Sequence, residues 1–595
     1  AIAVVLVYII RLLFLQVIDQ STQEKAENNA QLRQVIYPSR GLIYDRNGEL
    51  LVANQPIYEV TMVVKEMGKD FDTLGFCTAL HIDRETFEIR MQNMTDRRKN
   101  RGYSRFTPQV FMEQLNKEEV AQLQQEQYKY AGISIRCRTL RDYTYPIASH
   151  VLGSVGEVNQ NDLEHDAYYA VGDYAGRDGI ERTYEKQLRG EKGVEVLMRD
   201  SRGRIQGSYK DGSLDREAKA GTDLYLSIDR KAQQLAEELL QGKVGSVVAI
   251  EPKTGEVLVM ASAPNWDPCT LVGKERSANY QKLASDPNRP LINRAVQAQY
   301  SPGSTFKTLQ ALVGLQEKVV TPHTQYPCSG KQSSPIKCTH NHGTPVDMEE
   351  GIEQSCNPYF WALFRDMLQR DGYADENILF KQHYTEWRND ILSFGLGQRF
   401  EDTDISEQAA GYVPTVELYN KIYGTKGWKA ITIRSLSIGQ GEVLVTPLQL
   451  ANQAAAIANK GYYITPHLNR NDSMKSRVHS TLIDSIYFDI VQTGMERVMT
   501  NGTGRWYNVQ DLQMCGKTGT VENVHGKDHA LFIGFAPKDN PQIAIAVAVE
   551  NAGFGATWAC PVGSLIMEQY LTGEIKRKSL YDRIVNANLI TQDNE

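Results

Sequence analysis

One stretch of this 595-residue chain is apolar enough to lie within a lipid bilayer, and it comes first. Ala1 to Val17 is interrupted only by Arg11 and Gln16. As a helix it would span about 26 Å, slightly short of the ~30 Å hydrocarbon core. With no initiator Met ahead of it, the segment reads as the remainder of a longer one. A cleaved signal would end on small residues, and Ile18-Asp19-Gln20-Ser21 offers a poor cleavage site. A buried core helix is the competing reading. Residues 1–19 are therefore expected to be a single transmembrane anchor, with all that follows on one side. No second stretch approaches this apolarity, so the remainder must fold as water-exposed globular structure.

The composition agrees: 41% apolar and 23% charged residues exclude a disordered tail, a fibre and a polytopic membrane protein. The length corresponds to about four domain-equivalents. Lys plus Arg total 65 against 72 for Asp plus Glu, a net charge of -7 without the basic excess of a nucleic-acid binder. Eight cysteines are too few for a disulfide scaffold.

Gln20 to Gln34 is polar and reads as helical. Strand-like segments follow at Val35–Tyr37, Leu42–Tyr44 and Leu50–Val52, the last two joined by an Asp45-Arg46-Asn47-Gly48 turn. Residues 64–139 turn helical in periodicity and carry a charge run at Arg97, Arg98, Lys99, Arg101 and Arg105, first of all a solvated loop. Strands return at Gly132–Arg138 and Gly193–Met198. This pattern predicts one β-rich unit, residues 20–63 and 140–216, interrupted by an inserted head at 64–139. A large domain over 217–575 begins with a helix at Lys231–Gln241 and a hairpin, Ser246–Ile250 with Glu256–Ala261. Residues 304–317, 349–368 and 447–460 read as helices, Phe532–Ala536 and Ile543–Glu550 as closing strands. The polar end, 576–595, reads as a partly loose tail.

Three short motifs occur in order inside the large domain. Ser304-Thr305-Phe306-Lys307 places a hydroxyl and an amine on one helical face, where a desolvated Lys can take the Ser proton. Pro302-Gly303 precedes it, and the apolar run Leu309–Leu315 would bury its base. Ser355-Cys356-Asn357 suits proton relay and a hydrogen bond to a substrate amide. Lys517-Thr518-Gly519-Thr520 combines a cation with a Gly that lets a substrate backbone approach a strand. Each has a chance copy elsewhere: Ser334–Lys337, Ser277–Asn279 and Lys253–Gly255. Singly each motif is weak; their order and spacing together are not. Three other residues crowd with two histidines in Cys328-x9-Cys338-x-His340-x-His342-x13-Cys356. Three thiolates and one imidazole make a closed tetrahedral set of the kind structural zinc prefers; a disulfide in an oxidising compartment is the alternative, and it would strand the third thiol.

The motif triple resembles the active-site set of penicillin-binding proteins and serine β-lactamases. The resemblance extends to class B penicillin-binding proteins through Arg40-Gly41, Ile43, Asp45-Arg46-Asn47-Gly48, Arg141, Tyr143, Tyr145-Pro146, His150–Gly153 and Gly179-Ile180-Glu181. Ser437–Gly441 and Thr446–Gln449 are also family-like. It implies an α+β multidomain chain: membrane anchor, β-rich pedestal with inserted head, and a transpeptidase domain built on a five-stranded antiparallel sheet flanked by helices plus an all-helical part. It implies D,D-transpeptidation of peptidoglycan stem peptides ending in D-alanyl-D-alanine, of the cell-elongation type, with a division-type enzyme as runner-up. Ser304 would be nucleophile, Lys307 its base, Ser355 and Asn357 proton relay and substrate grip. Lys517, Thr518 and Thr520 would hold the terminal carboxylate, Gly519 would let the substrate backbone approach, and the Ser304 and Thr520 N–H groups would hold the oxyanion. β-Lactams would acylate Ser304. A SEDS-type glycosyltransferase, met through anchor and pedestal, would supply glycan polymerisation, and the catalytic domain would face the periplasm from the bacterial cytoplasmic membrane. The elongation-type relatives carry a zinc site ending on the middle residue of S-x-N, which implies Cys328, Cys338, His342 and Cys356 here. His342 is preferred over His340 because Gly343 follows it; the family's leading ligands are often carboxylates, so Cys328 and Cys338 depart from that pattern. A β-lactamase would lack the long N-terminal half, a sensor would need more membrane segments, and a silent scaffold would not need an intact Ser304, Lys307 and Lys517.

Overall fold

The long strand Leu50–Met62 organises the N-terminal half. It pairs antiparallel with Ile133–Tyr143 along its length, Val52 opposite Tyr143 and Met62 opposite Ile133. The computed structural model describes residues 31–590 apart from positions 69, 101, 200–204, 371–377 and 471–476. The expected anchor at 1–19 lies outside them. Among the described residues no helix is long and apolar enough to cross a membrane.

At one end the ladder is extended by Ile43–Tyr44 and Leu224–Tyr225, at the other by Gln109–Leu115. That far end has its own apolar core of Phe76, Phe87, Phe111, Leu123 and Tyr130, separate from the main one. A second sheet runs Gln31–Ile36, Gly193–Arg199, Ile205–Ser208. Residues 31–34, which read as helical in sequence, are thus strand. Their pairing with a segment far along the chain overrides weak local propensity.

The separated family-like residues of this half meet in one buried ionic cluster. Glu181 is fully buried; its two oxygens accept Arg40 Nη2 and Arg141 Nε, both at 2.6 Å. Arg141 Nη1 also donates to Gly41 O at 2.8 Å and Asn54 Oδ1 at 2.9 Å. Burial alone would raise the Glu181 carboxyl, but Arg141 and Arg40 hold it below its ordinary value. Removing one partner of a buried pair leaves uncompensated charge. Glu181→Ala is therefore expected to lose about 3–5 kcal/mol in denaturant unfolding. Because the folded carboxyl is depressed, the stabilisation is full above its unfolded value near 4.5 and is lost as pH falls through the lower folded value.

Arg46 connects this half to the large domain, bonding Glu251 at 3.2 Å and the Tyr570 hydroxyl at 3.1 Å. It is aimed there by a turn in which buried Asp45 Oδ1 accepts the N–H groups of Asn47 and Glu49. The large domain is built on an antiparallel sheet ordered Val257–Ala263, Gly245–Ile250, Ile543–Val549, His529–Ala536, Cys515–Val521. Every residue of Ile543–Val549 is buried, which requires cover on both faces. Arg230–Leu240 and Ala559–Thr572 supply one cover, Pro447–Ala458 and Phe488–Thr500 the other. Cys515–Val521 forms the edge, and along it the motif residues gather.

Two further segments differ from the sequence reading. Lys578–Val585, expected within a loose tail, is a helix that buries Ile584 completely. Lys243 Nζ reaches it, donating to Ile584 O at 2.7 Å and Ala587 O at 3.0 Å, where a helix leaves carbonyls free. The helix read over 349–368 is two, Met348–Glu353 and Asn357–Leu368, broken at Ser355, whose φ is +55°.

Candidate active site

Ser304 lies in a single 3₁₀ turn, Gly303–Phe306, that runs directly into the helix Lys307–Gln316. Hydrogen bonds fix that turn: Thr305 Oγ1 donates to Pro302 O at 2.6 Å, and Gln453 Nε2 donates to Thr305 O at 3.0 Å. Gly303 N donates to Gly439 O at 2.8 Å. Gly439 has φ +69°, and a Cβ there would stand 2.2 Å from Gly303 O. Only Gly fits, which accounts for the Ser437–Gly441 motif.

Lys307 is completely buried, whereas Ser304 keeps partial exposure. The amine donates to Ser355 O at 2.8 Å and Asn357 Oδ1 at 2.6 Å, and lies 3.2 Å from Ser355 Oγ. Burial pushes its pKa from 10.5 down to about 7, with Cys356 and Cys338 opposing slightly. The left-handed Ser355 is what turns its carbonyl and hydroxyl toward one amine. Asn357 is held from its other side, Nδ2 donating to Lys337 O at 3.0 Å. The chance copy of S-x-x-K at 334–337 thus contributes a backbone carbonyl, with both its side chains exposed.

Lys517, Thr518 and Gly519 are buried on the edge strand, Thr520 partly so. Burial, then the charge of Lys307, push Lys517 well below the ordinary ammonium value. A carboxylate brought against Lys517 would reverse that, because an opposite charge favours the ammonium. Gly519 packs between Thr305 and Leu531, a Cβ there meeting Thr305 Cγ2 at 3.0 Å. Gln440 Nε2 donates to Thr520 O at 3.3 Å, and Gly555 N donates to Thr520 Oγ1 at 3.3 Å. The other chance copies lie away from this cluster: Lys253–Gly255 in the turn between Gly245–Ile250 and Val257–Ala263, Ser277–Asn279 on a surface helix with no buried residue. Gln453 and Thr503 do not stand out as site residues in the sequence. Gly439 and Gln440 fall in the family-like Ser437–Gly441 stretch, whereas nothing local marks Gln453 or Thr503.

Cys328, Cys338, His342 and Cys356 bring their ligand atoms within 4.8 Å of one another. His342, and not His340, is the imidazole of this group. His342 Nδ1 lies 2.8 Å from Gly343 O and Nε2 3.3 Å from Cys338 Sγ, so a proton on Nδ1 leaves the Nε2 lone pair facing the thiols. His340 is exposed, beside the Thr339 hydroxyl. The thiols are free, and Cys338 is pushed down and Cys356 up by their mutual hydrogen bond.

The family model described as penicillin binding protein transpeptidase domain matches residues 245–568, and that of the penicillin-binding protein dimerisation domain matches 35–226. The first alone covers more than half of the chain. This chain is a class B penicillin-binding protein. The peptidoglycan D,D-transpeptidase MrdA of Acinetobacter baumannii is 32% identical over 587 residues, 92% of this chain and 83% of the relative. A penicillin-binding protein (PBP2) of Helicobacter pylori, solved in complex with MreC, superposes with TM-score 0.74 at 23% identity, covering 91% of this chain and 99% of that one. A chain from a peptidoglycan synthase complex, solved for its structural coordination of polymerization and crosslinking, gives TM-score 0.70 at 25% identity, covering 96% and 98%. The two-domain fold, dimerisation plus transpeptidase, is that of the family.

Proposed function

We infer that this chain is the serine-type peptidoglycan D,D-transpeptidase of cell elongation, with Ser304, Lys307, Ser355, Asn357 and Lys517 as its catalytic residues. The observation that supports the roles most is the buried Lys307 amine, bonded at once to Ser355 and Asn357 on the helical turn that carries Ser304. A neutral amine there takes the Ser304 proton as Oγ attacks the penultimate D-alanyl carbonyl. Ser355 passes a proton to the departing D-alanine amine. The acyl-enzyme is then opened by an amine of a second stem peptide, whose proton returns along the same path, and Ser304 is regenerated. Lys517 and the Thr518 hydroxyl receive the terminal carboxylate against Gly519, and the Ser304 and Thr520 N–H groups receive the oxyanion.

Cys328, Cys338, His342 and Cys356 would hold a structural Zn2+. Sulfur ligands ~2.3 Å from one ion fit ligand atoms this close together, and all four places are filled by protein, leaving none for a reacting water. Bound there, the ion would tie the 328–342 loop to Cys356, the residue between Ser355 and Asn357. Residues 1–19 would anchor the chain in the cytoplasmic membrane with the catalytic domain periplasmic. A relative solved in a peptidoglycan synthase complex of polymerization and crosslinking supports a glycan-polymerising partner; a SEDS-type glycosyltransferase, met through the anchor and pedestal, would be that partner, and β-lactams would enter as substrate mimics.

A donor pentapeptide ending in D-alanyl-D-alanine, supplied with an acceptor stem, tests this reading. Release of D-alanine and a cross-linked dimer are expected, both abolished in Ser304→Ala. Dimer formation persisting in Ser304→Ala would overturn it.

A further inference from the structure

The loop Gly502-Thr503-Gly504 belongs to none of the three motifs, yet it touches the third and packs just ahead of the second. It follows the helix Phe488–Thr500 and is tied back to it, Gly502 N donating to Arg497 O at 2.8 Å and Gly504 N to Val498 O at 2.9 Å. Gly502 lies against the backbone two residues before Ser355: a Cβ there would stand 2.5 Å from Glu353 O. The same junction is clamped by Arg497, whose Nε donates to Glu353 Oε2 at 2.6 Å and Nη1 to Glu349 Oε2 at 3.1 Å. A Cβ on Gly504 would stand 2.7 Å from Met499 Sδ. The loop therefore has little room to shift, and it delivers one side chain to the edge strand. Thr503 Oγ1 lies 2.7 Å from Thr518 Oγ1. Among the described residues this is the hydrogen bond the Thr518 hydroxyl makes.

The direction of that bond has a chemical consequence. A hydroxyl carries one proton and two lone pairs. If Thr518 donated to Thr503, it would turn lone pairs toward the cleft and repel a carboxylate. If it accepts from Thr503, its own proton is free to point at the substrate, and the donated bond polarises it further. A carboxylate ligand selects the second arrangement. We propose that Thr503 is a positioning residue for the transpeptidase reaction, donating to Thr518 so that the Thr518 hydroxyl is held as the donor to the stem peptide's terminal carboxylate. The proposal rests on the reading of Thr518 as a carboxylate-binding residue. Because the Gly502–Gly504 loop packs on the turn carrying Ser355, it also keeps motif three in register with motif two.

The test is the second-order rate constant for acylation by a penicillin, resolved into half-saturation and limiting rate, for the full chain and four variants. Thr503→Val keeps the shape and removes the donor. It is expected to lower the constant about tenfold, the order of loss for a hydrogen bond serving a charged group, chiefly by raising half-saturation. Thr503→Ser restores the donor and should recover most of it, a rescue that a packing role would not give. Thr518→Val should lose at least as much, and Thr503→Val added to it should cost nothing further. If Thr503→Val lowers the melting temperature, Thr503→Ala read against Thr503→Ser makes the same comparison. Thr503→Val at the parent rate, or its full loss recurring on top of Thr518→Val, overturns the proposal while leaving Thr518 its role. Thr518→Val at the parent rate overturns both.

Discussion

Lys307→Met is expected to acylate with penicillin at least ~10³-fold more slowly than the parent, at the upper part of the range for loss of a positioned base. Three bonds hold the amine against Ser355 and Asn357, so no neighbouring group can take its place without rebuilding that turn. The variant removes the cost of burying an amine but leaves the Ser355 and Asn357 acceptors unpaired, so its melting temperature is recorded beside the rate. Burial lowers Lys307 to about 7, and that fixes the sign of the pH profile. The reactive form is the neutral amine, which dominates above that value. The acylation rate should therefore climb roughly tenfold per pH unit below about 6 and level off above about 8. Stopped-flow acylation across that range measures both. A flat profile, or Lys307→Met at the parent rate, would take the base role from Lys307.

Metal removal should have the next largest effect. Purified protein is expected to carry about one zinc per chain. Chelation, or Cys356→Ser, should release it, lower the melting temperature and slow acylation together. They move together because Cys356 sits between Ser355 and Asn357, and Asn357 is braced by Lys337 O from the same loop. Losing the tie frees both sides of motif two, while the edge strand Cys515–Val521 stays paired to its neighbour. A metal-free preparation with a Cys328–Cys338 disulfide and full acylation would contradict the zinc reading.

Much of the catalytic arrangement was legible because it is written in short-range patterns. The three-residue step from Ser304 to Lys307 already puts both on one helical face, and the clustering of Cys328, Cys338 and Cys356 with two histidines marks a common site. The ladder of Leu50–Met62 with Ile133–Tyr143 was visible only in fragments, since its partners are far apart in sequence. The break at Ser355 was obscured by apolar residues that continue the helical period across it. Pro358, which sits in the first turn of the second helix, was the available signal for a new start. The final helix was masked by its charges, although Leu580, Tyr581, Ile584 and Val585 fall on one face. Thr503 could not be read at all. Its meaning depends on a loop and an edge strand meeting in space, and neither the Gly-Thr-Gly nor the K-T-G announces that contact.

Ser304 is expected to be the nucleophile of one reactive site formed by the three motifs. Mass spectrometry of the protein after incubation with penicillin identifies the residue that reacts. The expected result is a single stable adduct of intact penicillin mass, mapped to the peptide bearing Ser304 and absent from Ser304→Ala. An adduct on Ser334, the serine of the exposed second S-x-x-K, or no adduct on the folded protein, would contradict it.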